Sequence, residues 1–409
     1  MLAVCLFFIP KLNLLALGGE TAGIRIDDLL LVSTAAFLVL RWIYTSDLKI
    51  SRFVLACFLV VIAFCLSNLL NLGHSSIFYS LRMLEYLVFF WVGLALTGDF
   101  QKLIKWLILI NCGLIFLQAA HVVGGFTADG YLGLLGRPSG LSNHPAEMGA
   151  WLNLMFAALV FGGETKFWRW SLLVLVCIFL TASRISLFTH CILTVIYVYR
   201  SSHRKSAIVL RSAFVAGLLI AAVAIIPNPV RDRSGQVLSL DNISTFTKFY
   251  KTIPVETRFT EFSSALSPSN APDTVDPSWW MRLVKWTQVT KLYLNASWLT
   301  WIFGIGPGAI GPALDGSWLR LLIECGLLGT FVFVVMLRRI AALSPACTMA
   351  VVALSINMLL IDSHIAYKVM AFLFLLAGNT YARRTGLTPV IPQALEDDLP
   401  FEATSVGHA

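Results

Sequence analysis

Apolar runs of roughly 15–20 residues, separated by short polar connections, follow one another along almost the whole 409-residue chain. The hydrocarbon core of a bilayer takes about 20 mainly apolar residues per helix. Candidate spans fall at 2–18, 28–44, 53–71, 77–97, 103–124, 146–163, 168–182, 185–199, 207–226, 317–337, 345–361 and 364–381. Composition leaves little choice about the solvent. Hydrophobic residues make up 58% of the chain and charged ones 13%, against about 25% charged in a soluble domain. A soluble fold this apolar has nothing with which to cover its surface. The expected fold class is therefore all-α: a polytopic transmembrane bundle of about twelve spans, with a large, partly helical periplasmic loop between spans 9 and 10.

Charge placement sets the expected orientation. The net charge is +8, but the basic residues are grouped in alternate connections: Arg41/Lys49/Arg52, Lys102/Lys105, Lys166/Arg169, Arg200/Arg204/Lys205, Arg338/Arg339 and Arg383/Arg384. The intervening connections (19–27, 72–76, 125–145, 183–184, 362–363) are poor in Lys and Arg. This is the positive-inside pattern, and it predicts cytoplasmic termini in a bacterial inner membrane. The same grouping argues against nucleic acid as a partner. The eight cysteines all fall in apolar runs with no CxxC spacing, which indicates neither a zinc site nor a disulfide framework. The opening MLAVCLFFIPKLNLLAL lacks a basic leader and an A-x-A site, so it reads as a span or half-span. The expected organisation is spans 1–9 over 1–226, a periplasmic loop over 227–316, spans 10–12 over 317–384, and a polar, acidic, disordered cytoplasmic tail over 385–409. No internal repeat of the kind found in many transporters is present.

The loop and its flanking turns carry the chemistry. Residues 227–278 are polar and include Arg258 and Glu261. Residues 279–303 place Trp279, Trp280, Leu283, Trp286, Thr290 and Tyr293 near helical spacing, with Arg282 and Lys285 between them. That pattern reads as an interfacial helix anchoring the loop, or as one wall of a lipid-facing site. Arg137 in GRPSGLSNHP, Arg184 in TASR, and the loop pair Arg258/Arg282 all lie on the side that the charge bias should empty of cations. An arginine there needs an ion pair or an anionic ligand. Its planar fork grips phosphate oxygens bidentately.

Four further features invite both structural and functional readings. Arg82 and Glu85 are three apart in the fourth span and can pair on one face, either as a brace or for catalysis. Arg320 and Glu324 are four apart and can pair likewise, or Arg320 can face substrate. Asp315, at the start of the tenth span, is either a helix cap or a proton acceptor. His144, beside Glu147 at the mouth of the sixth span, is a hydrogen-bonding residue or a base. The glycines of FGIGPG give a tight turn, and no strand–helix context makes them a nucleotide loop.

Together, RPSGLSNHPAEMGAWL, TASR, and FGIGPG followed by DGSWLRLLIECGLLG resemble motifs of the O-antigen ligase and polymerase superfamily. They occur in the same order, on a matching topology, along nearly the whole chain. The resemblance implies a C-type glycosyltransferase with neither cofactor nor metal, using an oligosaccharide on undecaprenyl pyrophosphate as donor. It implies that Arg184 and one of Arg258 or Arg282 are the essential arginines. Ligases of this superfamily carry a histidine shortly before an aromatic-Leu pair. Placing that pair on Trp318-Leu319 puts Asp315 at the histidine's position, which leans the resemblance toward a polymerase.

The expected activity is inverting transfer of a glycan to the non-reducing end of a lipid-linked repeat unit at the periplasmic face. Arg137, Arg184, Arg258, Arg282 and Arg320 would bind donor and glycan. Asp315, or else Glu261 or His144, would serve the acceptor hydroxyl. A flippase and a chain-length regulator of the same pathway would be partners besides the bilayer. Ligase or protein O-oligosaccharyltransferase activity is the near alternative. A secondary transporter or lipid flippase is the alternative from another class, and it predicts charges and broken helices within the spans.

Overall fold

A computed structural model describes residues 7–9, 13–16, 23–25, 31–37, 40, 52–71, 77–96, 99–127, 130–131, 137–201, 277–310 and 314–386. Its helices are α1 (Arg52–Leu70), α2 (Ile77–Ala95), α3 (Phe100–Ala119), α4 (Pro145–Val160), α5 (Phe167–Leu180), α6 (Arg184–Ser201), α7 (Pro277–Leu294), α8 (Trp298–Phe303), α9 (Ser317–Ala341), α10 (Pro345–Asn357) and α11 (Tyr367–Thr385). Caps set several of these boundaries. Asp99 accepts from Gln101 N and Lys102 N to start α3, Ser344 accepts from Cys347 N ahead of Pro345 to start α10, and Gly386 ends α11 in the left-handed region.

The centre of the bundle is α4 and α11. Every residue of α4 from Met148 to Val160 is buried, as is every residue of α11 from Tyr367 to Asn379. Helix α11 meets α2 at Gly378 and Gly93, where a Cβ added to Gly378 would stand 2.0 Å from the Phe90 carbonyl oxygen. Only a missing side chain lets the two backbones come so close. The outer face of α1 instead exposes Leu55, Phe58, Leu59, Ile62, Leu66 and Leu69, an apolar stripe that only lipid or another apolar surface can cover. Helices α1, α3 and α9 have the length and hydropathy to cross a membrane, while α4, α5 and α10 are apolar but shorter.

Nine helices, α1–α6 and α9–α11, coincide within a few residues with expected spans and alternate in direction. At one end, Gln101 donates to Gly162 O, Asn379 to Leu96 O and Arg384 to Ala342 O. At the other, Arg82 reaches Ile365, Ser317 reaches Ile361 and Ser186 reaches Asn357. The expected first span is corrected. Within 2–18, Asn13–Ala16 (β1) is a strand paired antiparallel with Gly23–Arg25 (β2). Pro10, which lacks an N–H, precedes it and Gly18-Gly19 follows, so one continuous helix is disfavoured there. A second short pairing joins Phe126–Thr127 (β3) to Gly130–Tyr131 (β4). In the expected second span, residues 31–37 are helical. The expected ninth span, the loop over 227–276 and the tail beyond 386 lie outside the described residues. The end of the expected loop is helical as read: α7 buries Trp280 and Val284, one turn apart, and Val289 and Tyr293, likewise one turn apart.

Candidate functional site

The connections 137–144, 181–184, 304–310, 314–316 and 358–366 all lie at the second of these ends, beside the buried Arg320 and Glu324 of α9 and Lys368 of α11. One cluster surrounds the turn between α5 and α6. Arg137 donates through Nε and Nη2 to the Thr181 carbonyl (3.1 and 2.8 Å) and through Nη2 to the Ala182 carbonyl (3.1 Å). It thereby satisfies acceptors that the end of α5 would leave orphaned. Ala182 sits at φ 52°, so the turn is tight. Ser183 and Ser186 are 2.8 Å apart, Ser186 donates to Asn357 Oδ1 at 2.8 Å, and Asn153 donates to Ser186 O at 2.8 Å. Arg184, half-buried, starts α6 from this braced turn. The structure thus brings Arg137 and Arg184 to the same turn.

His144 is exposed and is the N-cap of α4. Its Nδ1 accepts from Ala146 N at 3.3 Å, while Glu147 accepts from Ser142 Oγ at 3.2 Å. This geometry makes His144 the cap of α4, with Glu147 tied to Ser142 beside it.

The second cluster is built on a break in α9. Gly326 has φ 66° and ψ −171° inside the helix, so the Ile323 and Glu324 carbonyls lose their helical donors. The FGIGPG segment supplies replacements: Ile305 N donates to Ile323 O (2.9 Å) and Gly306 N to Glu324 O (3.0 Å). Ser67 Oγ also donates to Glu324 O at 2.8 Å. A Cβ on Gly326 would lie 2.3 Å from the Ile302 carbonyl oxygen. The glycines at 304 and 326 therefore serve close backbone approach.

Above the break, Arg320 is fully buried and pairs with Glu324 (3.1 Å) and Asp362 (3.1 Å). The i,i+4 pairing matches expectation, whereas Asp362 was not foreseen. Its carboxylate accepts from Leu314 N (2.9 Å), Asp315 N (3.2 Å) and Gly316 N (3.1 Å). Asp362 thus holds, from another chain segment, the backbone that leads into α9. Burial pushes the Asp362 carboxyl up, but the Arg320 guanidinium and these amides hold it below the usual carboxylate range. Asp315, at φ 59°, turns its side chain outward and pairs with Arg282 at 2.8 Å, remaining 35% exposed. Arg282, Asp315, Asp362 and Arg320 are therefore linked in one chain of contacts.

Arg82 lies across from them. It donates to the Ile365 carbonyl at 3.3 Å and lies over the Tyr79 ring at 5.1 Å, with Arg320 5.7 Å from the same ring. The expected Arg82–Glu85 pairing gives way to these contacts. A cavity opens beside this cluster, lined by Phe64, Tyr79, Arg82, Met83, Tyr86, Pro307, Glu324, Cys325, His364 and Ile365. Lys368, buried at the start of α11, donates to the carbonyls of Ile9 (2.9 Å) and Leu141 (2.9 Å).

Asp362, His364, Lys368 and Tyr79 escaped the sequence reading. A usable signal is DSHIAYK, where four ionisable side chains fall within seven residues between two apolar runs. Arg258 and Glu261 lie outside the described residues. Among the described residues no group of His, Cys, Asp and Glu is arranged to hold a metal ion. No protein-family model and no curated protein matches this chain.

Proposed function

We propose that the chain is a bacterial inner-membrane glycosyltransferase of the O-antigen polymerase type. On this reading it extends a lipid-linked glycan with a repeat unit carried on undecaprenyl pyrophosphate, and the site end of the bundle faces the periplasm. The observation that carries this reading is the gathering of Arg82, Arg137, Arg184, Arg282 and Arg320 around the turns at one end. Cations gathered at that end fit an anionic ligand that arrives from the membrane. The exposed Trp298, Leu299 and Trp301 of α8 support a lipid-borne substrate, because tryptophan settles at headgroup depth.

In this mechanism Arg184 and Arg282 stabilise the charge that develops on the departing pyrophosphate, which lowers the barrier without a metal. Arg137 fixes the turn that presents Arg184, so its role is positioning. The acceptor hydroxyl attacks the anomeric carbon opposite the leaving group, and configuration inverts. The test is reconstitution of the wild-type chain with an undecaprenyl-pyrophosphate-linked oligosaccharide. A ladder of products is expected. Arg184→Ala should abolish the ladder while the protein still purifies as a folded species, and Arg184→Lys should restore little, because an ammonium lacks the bidentate fork. An unchanged ladder from Arg184→Ala would sink the assignment. A single transfer to a lipid A-core acceptor would mark a ligase instead.

One observation favours a second reading. The break at Gly326 beside the buried Arg320–Glu324–Asp362 triad is the combination that a secondary transporter or flippase predicts. Substrate movement across sealed proteoliposomes without any covalent product would support that alternative.

A further inference from the structure

At the end of the bundle away from these clusters, one corner carries charge that nothing described there balances. Helix α1 runs antiparallel to α9: Ser67 Oγ donates to Glu324 O at 2.8 Å, and Phe64 stands 3.5 Å from where a Cβ on Gly329 would lie. An equal stretch further along each helix brings Arg52, the first residue of α1, beside the last turn of α9, which holds Arg338 and Arg339. Helix α11 ends at the same corner with Arg383 and Arg384. Arg384 donates to the Ala342 carbonyl just past α9 at 3.0 Å. Phe53, next to Arg52, packs on Phe374 of α11 with ring centroids 5.5 Å apart. Three helix ends thus deliver five arginines to one corner.

No carboxylate among the described residues is left to neutralise them. Those at this end are Asp99, which accepts from Gln101 N and Lys102 N, and Glu164, which pairs with Lys105. Neither lies on α1, α9 or α11. All five arginines are exposed, and the side chains of Arg52, Arg338, Arg339 and Arg383 bond to no group among the described residues. Helix dipoles account for part of the pattern, since a cation is favoured at the ends of α9 and α11. They do not account for Arg52, which opens a helix where the dipole disfavours a cation. An anion beside it removes that conflict.

The surfaces that lead away from the arginines are apolar. On α1, Leu55, Leu59, Ile62 and Leu66 are exposed along one stripe that begins at Arg52. On α9, Val334, Phe331 and Leu327 are exposed along a stripe that ends at Arg338. Both helices have the length and hydropathy to cross a membrane, so each stripe joins a lipid-facing surface to a guanidinium at its rim. A free phosphate ion would engage the guanidiniums alone. A phospholipid engages both features, with phosphate oxygens on the arginine forks and acyl chains along the stripes.

We infer that this corner binds an anionic phospholipid, its phosphate held between arginines of α1, α9 and α11 and its acyl chains lying along α1 and α9. The inference needs only that α1 and α9 cross a bilayer, and it stands or falls apart from the transferase reading.

Native mass spectrometry of the full chain, purified in detergent and stripped of lipid, reads the site directly. Wild type should take up its first dioleoylphosphatidylglycerol about tenfold or more tighter than dioleoylphosphatidylcholine, and millimolar inorganic phosphate should not displace it. Equal affinity for the two lipids, or displacement by inorganic phosphate, overturns the proposal. Arg338→Gln/Arg339→Gln/Arg383→Gln should weaken the first phosphatidylglycerol by about 100-fold, and Arg52→Gln alone by about fivefold. Both variants should keep the wild-type unfolding midpoint in lipid-free detergent, because the replaced side chains are exposed. A triple variant within about threefold of wild type overturns the proposal. If the triple variant misfolds, Arg52→Gln decides, and an unchanged affinity overturns the proposal. Lys166→Gln/Arg169→Gln removes two exposed cations from the start of α5, which packs on α3, α4 and α6. It should stay within about threefold of wild type. A loss equal to that of the triple variant would mean that the lipid responds to the charge of the whole face, and the site would be refuted.

Discussion

The two ends of the bundle use the same residue types under opposite conditions. At one end Arg52, Lys102, Lys166, Arg169, Arg200, Arg338, Arg339, Arg383 and Arg384 are all exposed. The ion pair there, Lys105 with Glu164, keeps its lysine 36% exposed. At the other end Arg320 is fully buried with two carboxylates, and Lys368 and Arg137 are bonded to backbone carbonyls. Solvated cations resist crossing a membrane but contribute little to the fold. Desolvated ones must be satisfied by particular partners, and removing a partner leaves a buried charge uncompensated. The contrast separates charges that stay in solvent from charges that tie distant segments of the bundle together.

The largest expected effect breaks the buried triad. Asp362→Ala strips Arg320 of a partner and the start of α9 of its acceptor, and should cost about 3–5 kcal/mol in detergent unfolding. Arg338→Gln at the exposed end should stay within about 0.5 kcal/mol of wild type. Equal losses from the two variants would erase the distinction between the ends. Next comes backbone geometry. Gly326→Ala forces a Cβ against the Ile302 carbonyl at a left-handed φ and should cost about 2–4 kcal/mol. It should also weaken the ladder, because the triad stands on that break. Gly113, with open space around it, should accept alanine with no loss.

The smallest effect concerns Glu164. A side-chain hydrogen bond from Lys105 holds its carboxyl below the usual carboxylate range, against the opposing effect of burial. A carboxyl lowered in the folded state stabilises the fold above its unfolded value, and that contribution fades as pH falls through the folded one. Acid titration of stability should therefore show a loss below about pH 4.5. Lys105→Gln should remove it, at a cost of about 0.2–1 kcal/mol at neutral pH. A larger loss would mean that the exposed end is wired more tightly than its solvation implies.

How much of the site was legible depended on sequence distance. Arg320 and Glu324, one helical turn apart, announce their pairing. So do the glycines of FGIGPG, although not that their amides fill the break at Gly326. Asp315 was read as a helix cap or a proton acceptor, and its outward turn toward Arg282 depends on α7, 33 residues away. Arg82 and Glu85 were expected to pair because they are near in sequence. Arg82 turns instead to Ile365, 283 residues along the chain. His144 looked chemically versatile, and its cap position before Pro145 was the decisive local fact.

Local chemistry by itself determined that the described residues are largely helical, that three helices are long and apolar enough to cross a membrane, where nine helices run, and at which end the solvated cations lie. Those properties follow from hydropathy, helical period and charge placement, all of which act within about 20 residues. Only the tertiary structure decided which cations are buried, that Asp362 accepts from the amides leading into α9, and that Ser317 joins His364 to the 358–366 connection. Such choices belong to desolvated groups, whose partners are set by which distant segments the packing of the bundle brings within hydrogen-bonding reach.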